Sequence, residues 1–157
     1  MMDGPRQIFT KYHKDVLAIC YHYTWNLEEA EDITQEVFVK LLANFSSFDE
    51  EVNLKAWLYR VAINRCLDIK RRIATRAKHF GMLFQMAAEK TGMNDLKDVE
   101  VRNELEKILT KVEAKTRMVL ILKFMEEMEY SQISELMNIP EGTLKARVSR
   151  VLKGMRK

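Results

Sequence analysis

The chain has 157 residues, is 47% hydrophobic and carries a formal net charge of +3. Five glycines, two prolines and few β-branched runs favour an all-α protein of one ordinary domain or two small ones, and the apolar content excludes general disorder. No apolar stretch approaches the ~20 residues of a membrane span, so no direct membrane insertion is expected, and the protein reads as soluble and cytoplasmic.

The first residues, Met1-Met2-Asp3-Gly4-Pro5, lack a basic-then-apolar targeting signal. Cys20 and Cys66 lie far apart with no CxxC pair or paired histidines, which favours buried thiols over a disulfide or a metal site. His13, His22 and His79 are isolated, and no glycine-rich phosphate loop is present. Neither catalysis nor a cofactor is therefore expected.

Charge is unevenly distributed. Eight acids against Lys40 alone run from Glu28 to Glu51, and eight bases against Asp68 alone follow from Lys55 to Lys78. Six more bases and no acid lie between Gly142 and the last residue. Such blocks suit a chain with more than one partner, and basic blocks on helices suit phosphate contacts, although each block alone could be a solvated face.

Ile8, Tyr12, Leu17, Ile19, Cys20 and Tyr23 recur at helical spacing and predict a first helix, interrupted at Thr24-Trp25-Asn26. Asn26 can cap a second helix, whose early acids suit its dipole. Leu27, Ala30, Ile33, Val37, Phe38, Leu41 and Leu42 form the predicted apolar stripe of that helix. The polar stretch Ser46 to Asn53 reads as a loop, with Asn53 as cap of a third helix bearing Trp57, Leu58, Val61, Ala62, Cys66 and Ile69 on one side. Residues 76–98 read as a linker containing some helix; its segment Phe80 to Met86 is apolar enough to dock on the chain itself or on a partner. A second domain, 99–157, begins with a helix marked by Val101, Leu105, Ile108, Leu109 and Val112, followed by another over Met118 to Met125.

Two short helices close the chain. Ser131 is the expected cap of the first, with Ile133, Leu136 and Met137 on its apolar face. Asn138 stands where the turn needs a left-handed residue, Ile139 would anchor the turn, and Pro140 leads into the second helix. There Leu144, Val148 and Val151 or Leu152 face inward, while Glu141, Thr143, Lys145, Arg147 and Arg150 face outward. A short helix, apolar inside and basic outside after a tight turn, has the form of a recognition helix in the DNA major groove.

Two segments, Ala30-Glu31-Asp32-Ile33-Thr34-Gln35-Glu36-Val37-Phe38-Val39-Lys40-Leu41 and Ala56-Trp57-Leu58-Tyr59-Arg60-Val61-Ala62-Ile63-Asn64, resemble region 2 of bacterial sigma factors. The closing segment Tyr130-Ser131-Gln132-Ile133 through Ile139-Pro140-Glu141-Gly142-Thr143-Leu144 to Arg150 resembles their region 4. Order, spacing and length match the extracytoplasmic-function (ECF) group of the sigma-70 family, which keeps only these two regions. The resemblance implies two small helical domains, 1–75 and 99–157, the second containing a helix-turn-helix. It also implies a sigma factor whose partners are core RNA polymerase (β′ clamp helices and β flap), promoter DNA and an anti-sigma factor.

By resemblance, polymerase binding falls to Asp32, Gln35, Glu36 and Leu41. Contact with −10 DNA falls to Phe48, Asn53, Lys55, Trp57, Arg60, Asn64, Arg65, Arg71 and Arg72, and −35 contact to Ser131, Glu141, Thr143, Lys145, Arg147 and Arg150. Trp57 lies on an apolar stripe, which favours a core role over base stacking. The chain departs from the family in three places. The −10 loop is acidic and lacks the usual glycine and arginine, Asn138 replaces the turn glycine, and Val112-Glu113-Ala114-Lys115 replaces a Leu-Pro-Pro and is compatible with a continuous helix. The competing expectations are a dimeric helix-turn-helix regulator acting without polymerase, and a polymerase-binding regulator that does not melt DNA. The acidic second helix counts against the first, and the basic C-terminal block against the second.

Overall fold

A computed structural model describes residues 3–24, 26–69 and 112–155. Arg71 and Arg72, the linker 76–98 with its Phe80 to Met86 segment, and the helix expected from Val101 lie outside the described residues. The chain divides into two compact units, Met1–Ile69 and Lys70–Lys157.

The first unit is built from helices α1 (Pro5–Thr24), α2 (Leu27–Asn44) and α3 (Glu51–Asp68), each packed on the other two. Pro5 opens α1, where a missing N–H costs nothing, and the Gly4 N–H donates to Gln7 Oε1 at 2.7 Å. Ile8, Tyr12, Val16, Ile19, Cys20 and Tyr23 are buried at spacings of three and four, so one face of α1 enters the core. Thr24 ends the helix by turning its hydroxyl back to Cys20 O at 2.8 Å. Asn26, extended at φ −145° and ψ 111°, then caps α2 by accepting the Glu29 N–H on its side chain at 3.0 Å, as its sequence position predicts.

Ala30, Ile33, Val37, Phe38 and Leu41 bury the inner face of α2. Leu27 and Leu42 do not belong to that stripe, being 54% and 64% exposed. At about 100° per residue, Leu42 lies about 40° beyond Phe38, at the outer edge of the face that Val37, Phe38 and Leu41 share. A 3₁₀ turn, Phe45–Ser47, closes with the Phe48 N–H on Phe45 O, and a short link leads to α3. α3 starts two residues before the expected Asn53 cap. Asn53 therefore lies within its first turn, and extended Glu50 holds the cap position without a side-chain hydrogen bond. Leu54, Leu58, Ala62, Ile63 and Cys66 complete the core.

In the second unit, Glu113 is extended at ψ 146° and α4 begins at Ala114, so the backbone breaks at the position where a continuous helix was compatible with the sequence. α4 (Ala114–Leu120) runs into a π-helical turn, Ile121–Met125, closed by the Glu126 N–H on Ile121 O at 3.1 Å. From Thr116 to Leu122 every side chain is buried, which explains a run without amphipathic period. α5 (Tyr130–Met137) and α6 (Glu141–Met155) pack against each other, α5 on the π turn and α6 on α4. α5 begins one residue before Ser131, so Ser131 is not its cap; Glu129 holds that place, and its N–H donates to Gln132 Oε1 at 3.0 Å. Asn138 adopts the expected left-handed conformation, φ 55° and ψ 46°, and its N–H and that of Ile139 both reach Ser134 O. Among the described residues no helix is long and apolar enough to cross a membrane.

Candidate nucleic-acid and partner interfaces

The helix-turn-helix is the simplest surface to describe. Ile133 on α5 and Leu144, Val148 and Val151 on α6 are buried against the rest of the unit. This burial fixes the rotation of α6 and leaves Glu141, Thr143, Lys145 and Arg150 exposed on its other side. Arg147 is half-buried and encloses its Nη1 without a hydrogen-bond partner among the described residues. Its charge is nonetheless placed beside the exposed face. Ser131 is exposed at the second position of α5.

Tyr130 adds a feature that spacing alone does not reveal. Lys123 Nζ lies 4.5 Å from the centre of its ring and Lys145 Nζ 5.8 Å, a distance range in which a cation is attracted to the ring face. Burial raises the Tyr130 hydroxyl pKa above the ordinary tyrosine value, so the phenol stays neutral. Lys123 thereby joins Lys145 beside α6.

In the first unit Asp32, Gln35 and Glu36 are exposed together on α2, as spacings of three and four require. Leu41 is corrected here: at 1% exposure it is core, and it reaches the outside only as part of the lining of an open groove. It follows Val37 by four residues and so shares the inward face. The apolar groups available outside are Val39, 65% exposed, and Leu42. With Pro5, Arg6, Phe9, Gln35, Phe38 and Leu41 they border an open groove of about 700 Å³. The acidic face thus continues into an apolar one through Gln35.

Asn53, Trp57, Arg60 and Asn64 follow one another at steps of four, three and four on α3, which aligns them on a single stripe. Asn53, Arg60 and Asn64 are exposed; Trp57 is half-buried, neither core nor a bare stacking surface. The Phe48 ring meets it edge-on at 5.3 Å, so the two aromatics form one corner of the loop. Lys55 and Arg65 stand apart from this stripe. Lys55 Nζ lies over the rings of Tyr59 and Tyr12 at 5.6 and 6.0 Å. Arg65 Nε bonds Glu36 Oε2 at 2.7 Å, an α3–α2 pair that joins a residue expected on DNA to one expected on polymerase. The hydrogen bond to Glu36 raises the Arg65 pKa further above its already high ordinary value.

Glu51, expected in the acidic loop, instead takes two donors from α1: Tyr12 OH at 3.0 Å and Lys11 Nζ at 2.5 Å. The hydrogen bond from Lys11, then that from Tyr12, holds the Glu51 carboxyl below the usual carboxylate range, and Glu51 correspondingly raises Lys11. Tyr12 is raised chiefly by burial and next by its bond to Glu51. Only contacts across 39 or 40 residues reveal this cluster, so no local motif could have announced it.

Comparison with known proteins bears on both units. The Sigma-70 region 2 family matches residues 8–76, and the Sigma-70, region 4 family matches residues 102–155. The ECF RNA polymerase sigma factor SigW of Bacillus subtilis is 31% identical over 99% of the chain and 88% of its own length. SigM of the same organism is 28% identical over 89% and 85%. Among solved structures, the sigma factor RpoE of Bartonella quintana, crystallised with the anti-sigma factor NepR, aligns with a TM-score of 0.59. That match covers 96% of this chain and 93% of the other at 21% identity, which speaks to the fold.

Proposed function

The chain belongs to the sigma-70 family, in its ECF group, as a sigma factor directing promoter-specific transcription initiation, and on that premise we propose how its two units divide the work. Residues 1–75 bind core polymerase and −10 DNA, residues 99–157 bind −35 DNA, and 76–98 connect them. Asp32, Gln35 and Glu36 meet the basic clamp helices of the β′ subunit, with Val39 and Leu42 supplying apolar contact beside them. Phe48, Trp57, Arg60 and Asn64 receive the opened −10 strand: the aromatic corner offers a face to an unstacked base, and the stripe beyond it supplies a cation and an amide. Arg71 and Arg72, outside the described residues, are assigned to the DNA backbone on their charge alone. Glu141, Thr143, Lys145, Arg147 and Arg150 read the −35 duplex, while Ser131 and Lys123 hold flanking phosphates.

The observation that carries this assignment is the helix-turn-helix, with its left-handed Asn138 and the exposed polar side of α6. The protein acts in the cytoplasm and has no enzymatic step of its own; polymerase supplies the chemistry. An anti-sigma factor that covers the polymerase-binding face is the expected inhibitor. RpoE of Bartonella quintana was crystallised in complex with an anti-sigma factor, NepR.

The test is run-off transcription with sigma-free core polymerase on a promoter library. Specific transcripts are expected with the protein and none without it. Duplex binding that persists with no stimulation on any promoter would overturn the assignment. Arg147→Ala is expected to weaken −35 duplex binding by about 1–3 kcal/mol if the arginine contacts a base. Unchanged affinity and sequence preference would remove Arg147 from the reading face.

A further inference from the structure

We propose that Lys11 and Tyr12 of α1 are positioning residues for the −10 loop, acting through Glu51 at the first turn of α3. The proposal rests on the reading that this loop engages −10 DNA.

The segment between the 3₁₀ turn and α3 is short, Phe48-Asp49-Glu50, and what it can present depends on how its two ends are held. At one end Phe48 packs on Trp57. At the other, the first turn of α3 is closed by the Leu54 N–H on Glu50 O at 3.3 Å, but Glu50 makes no side-chain cap hydrogen bond. The missing restraint comes from α1. Tyr12 is 7% exposed, so its ring is set in the core while its hydroxyl reaches Glu51. Lys11, the next residue back, pairs with the same carboxylate oxygen. The helix start is therefore registered against a rigid element rather than against its own cap.

Charge points the same way. Asp49, Glu50 and Glu51 are consecutive acids where a phosphate backbone would pass, and Lys11 offsets one of them. An ion pair with side chains 53% and 27% exposed adds little to stability in water. Its effect lies in fixing the loop end and reducing the local negative field. Lys55, over the Tyr12 and Tyr59 rings, adds a second cation to the same corner.

The test uses the full chain with sigma-free core polymerase and a promoter library carrying each base at every −10 position. Lys11→Met and Tyr12→Phe are expected to flatten the preference among −10 bases by about three- to tenfold, below the ~100-fold that a 1 Å misplacement can cost. Core affinity and −35 preference should remain as in the parent protein. Because the residues act as one unit, Lys11→Met combined with Glu51→Gln should be no worse than the poorer single variant. Phe48→Ala is the control on the loop itself. If Phe48→Ala flattens the preference while Lys11→Met and Tyr12→Phe leave it unchanged, the positioning role is wrong. An equal loss on every promoter, accompanied by lost core affinity, would reduce the cluster to a structural one and also overturn it. If Phe48→Ala changes nothing, the assignment of the loop to −10 DNA falls first.

Discussion

The two units offer their charges to DNA in different ways. On α6, Lys145 and Arg150 are exposed, and the helix beneath them is fixed by Leu144, Val148 and Val151. In the first unit Arg65, a base expected on DNA, is already paired within the protein, with Glu36; Lys55 lies over two tyrosine rings much as Lys145 lies over Tyr130. The difference follows from the targets proposed for each unit. A duplex presents a regular groove that a rigid helix can meet as it stands. An opened strand has no fixed shape until it is captured, and the groups that capture it can exchange internal partners for phosphates.

The largest expected effect tests whether the two units are separable. Leu144 is fully buried at the centre of the helix-turn-helix, so Leu144→Ala should cost the second unit about 2–5 kcal/mol. Thermal unfolding should show this unit melting earlier, and −35 duplex binding should fall with it. Binding to core polymerase through α2 should persist, weakened only by any contact the second unit makes. Simultaneous loss of all polymerase binding would mean that the units do not act independently, and the contrast between them would lose its basis.

A smaller effect sharpens the description of α6 as preset. Asn138 sits at φ 55°, where a β-branched side chain is strained and glycine is not. Asn138→Val should destabilise the second unit by about 1–2 kcal/mol, whereas Asn138→Gly should be close to neutral. Chemical denaturation followed by a probe in that unit distinguishes the two. Equal behaviour of the two variants would show that the turn can re-form without its left-handed residue.

Asn138 also shows what could be read from the chain. A small amide before Ile-Pro is a local signal with a local cause, and Asn26 is another; both adopt the predicted geometry. Asn53 and Ser131 carry the same kind of signal and are not caps, because packing starts α3 at Glu51 and α5 at Tyr130. Cap preference is worth only ~1 kcal/mol and yields to burial of Leu54 and Ile133. Leu41 and Leu42 are adjacent and chemically alike, yet one is core and the other is 64% exposed; the exact phase of α2 decides between them, and a stripe drawn by eye includes both. The outward face of α6 was legible because its period is strong and its inner positions are purely apolar. The Lys11–Tyr12–Glu51 cluster and the Arg65–Glu36 pair were not, since each joins residues that only tertiary packing brings together.

That last pair provides the finest test of the contrast. Glu36 and Arg65 are 48% and 39% exposed in their side chains, so their coupling should be small, ~0.2–1 kcal/mol in a double-mutant cycle on stability. Its consequence for binding is directional. While Arg65 occupies Glu36, a basic clamp helix must displace it, so Arg65→Met should tighten core binding by up to about fivefold, the equivalent of ~1 kcal/mol. The same substitution should weaken capture of a −10 single strand, because one cation is lost. Both changes should shrink as salt is raised, since the pair lies at the surface and is screened. Core binding weakened by Arg65→Met would mean that the pair holds Glu36 ready for polymerase instead of competing with it. The engaged base of the first unit would then be part of a preset surface, as the bases of α6 are.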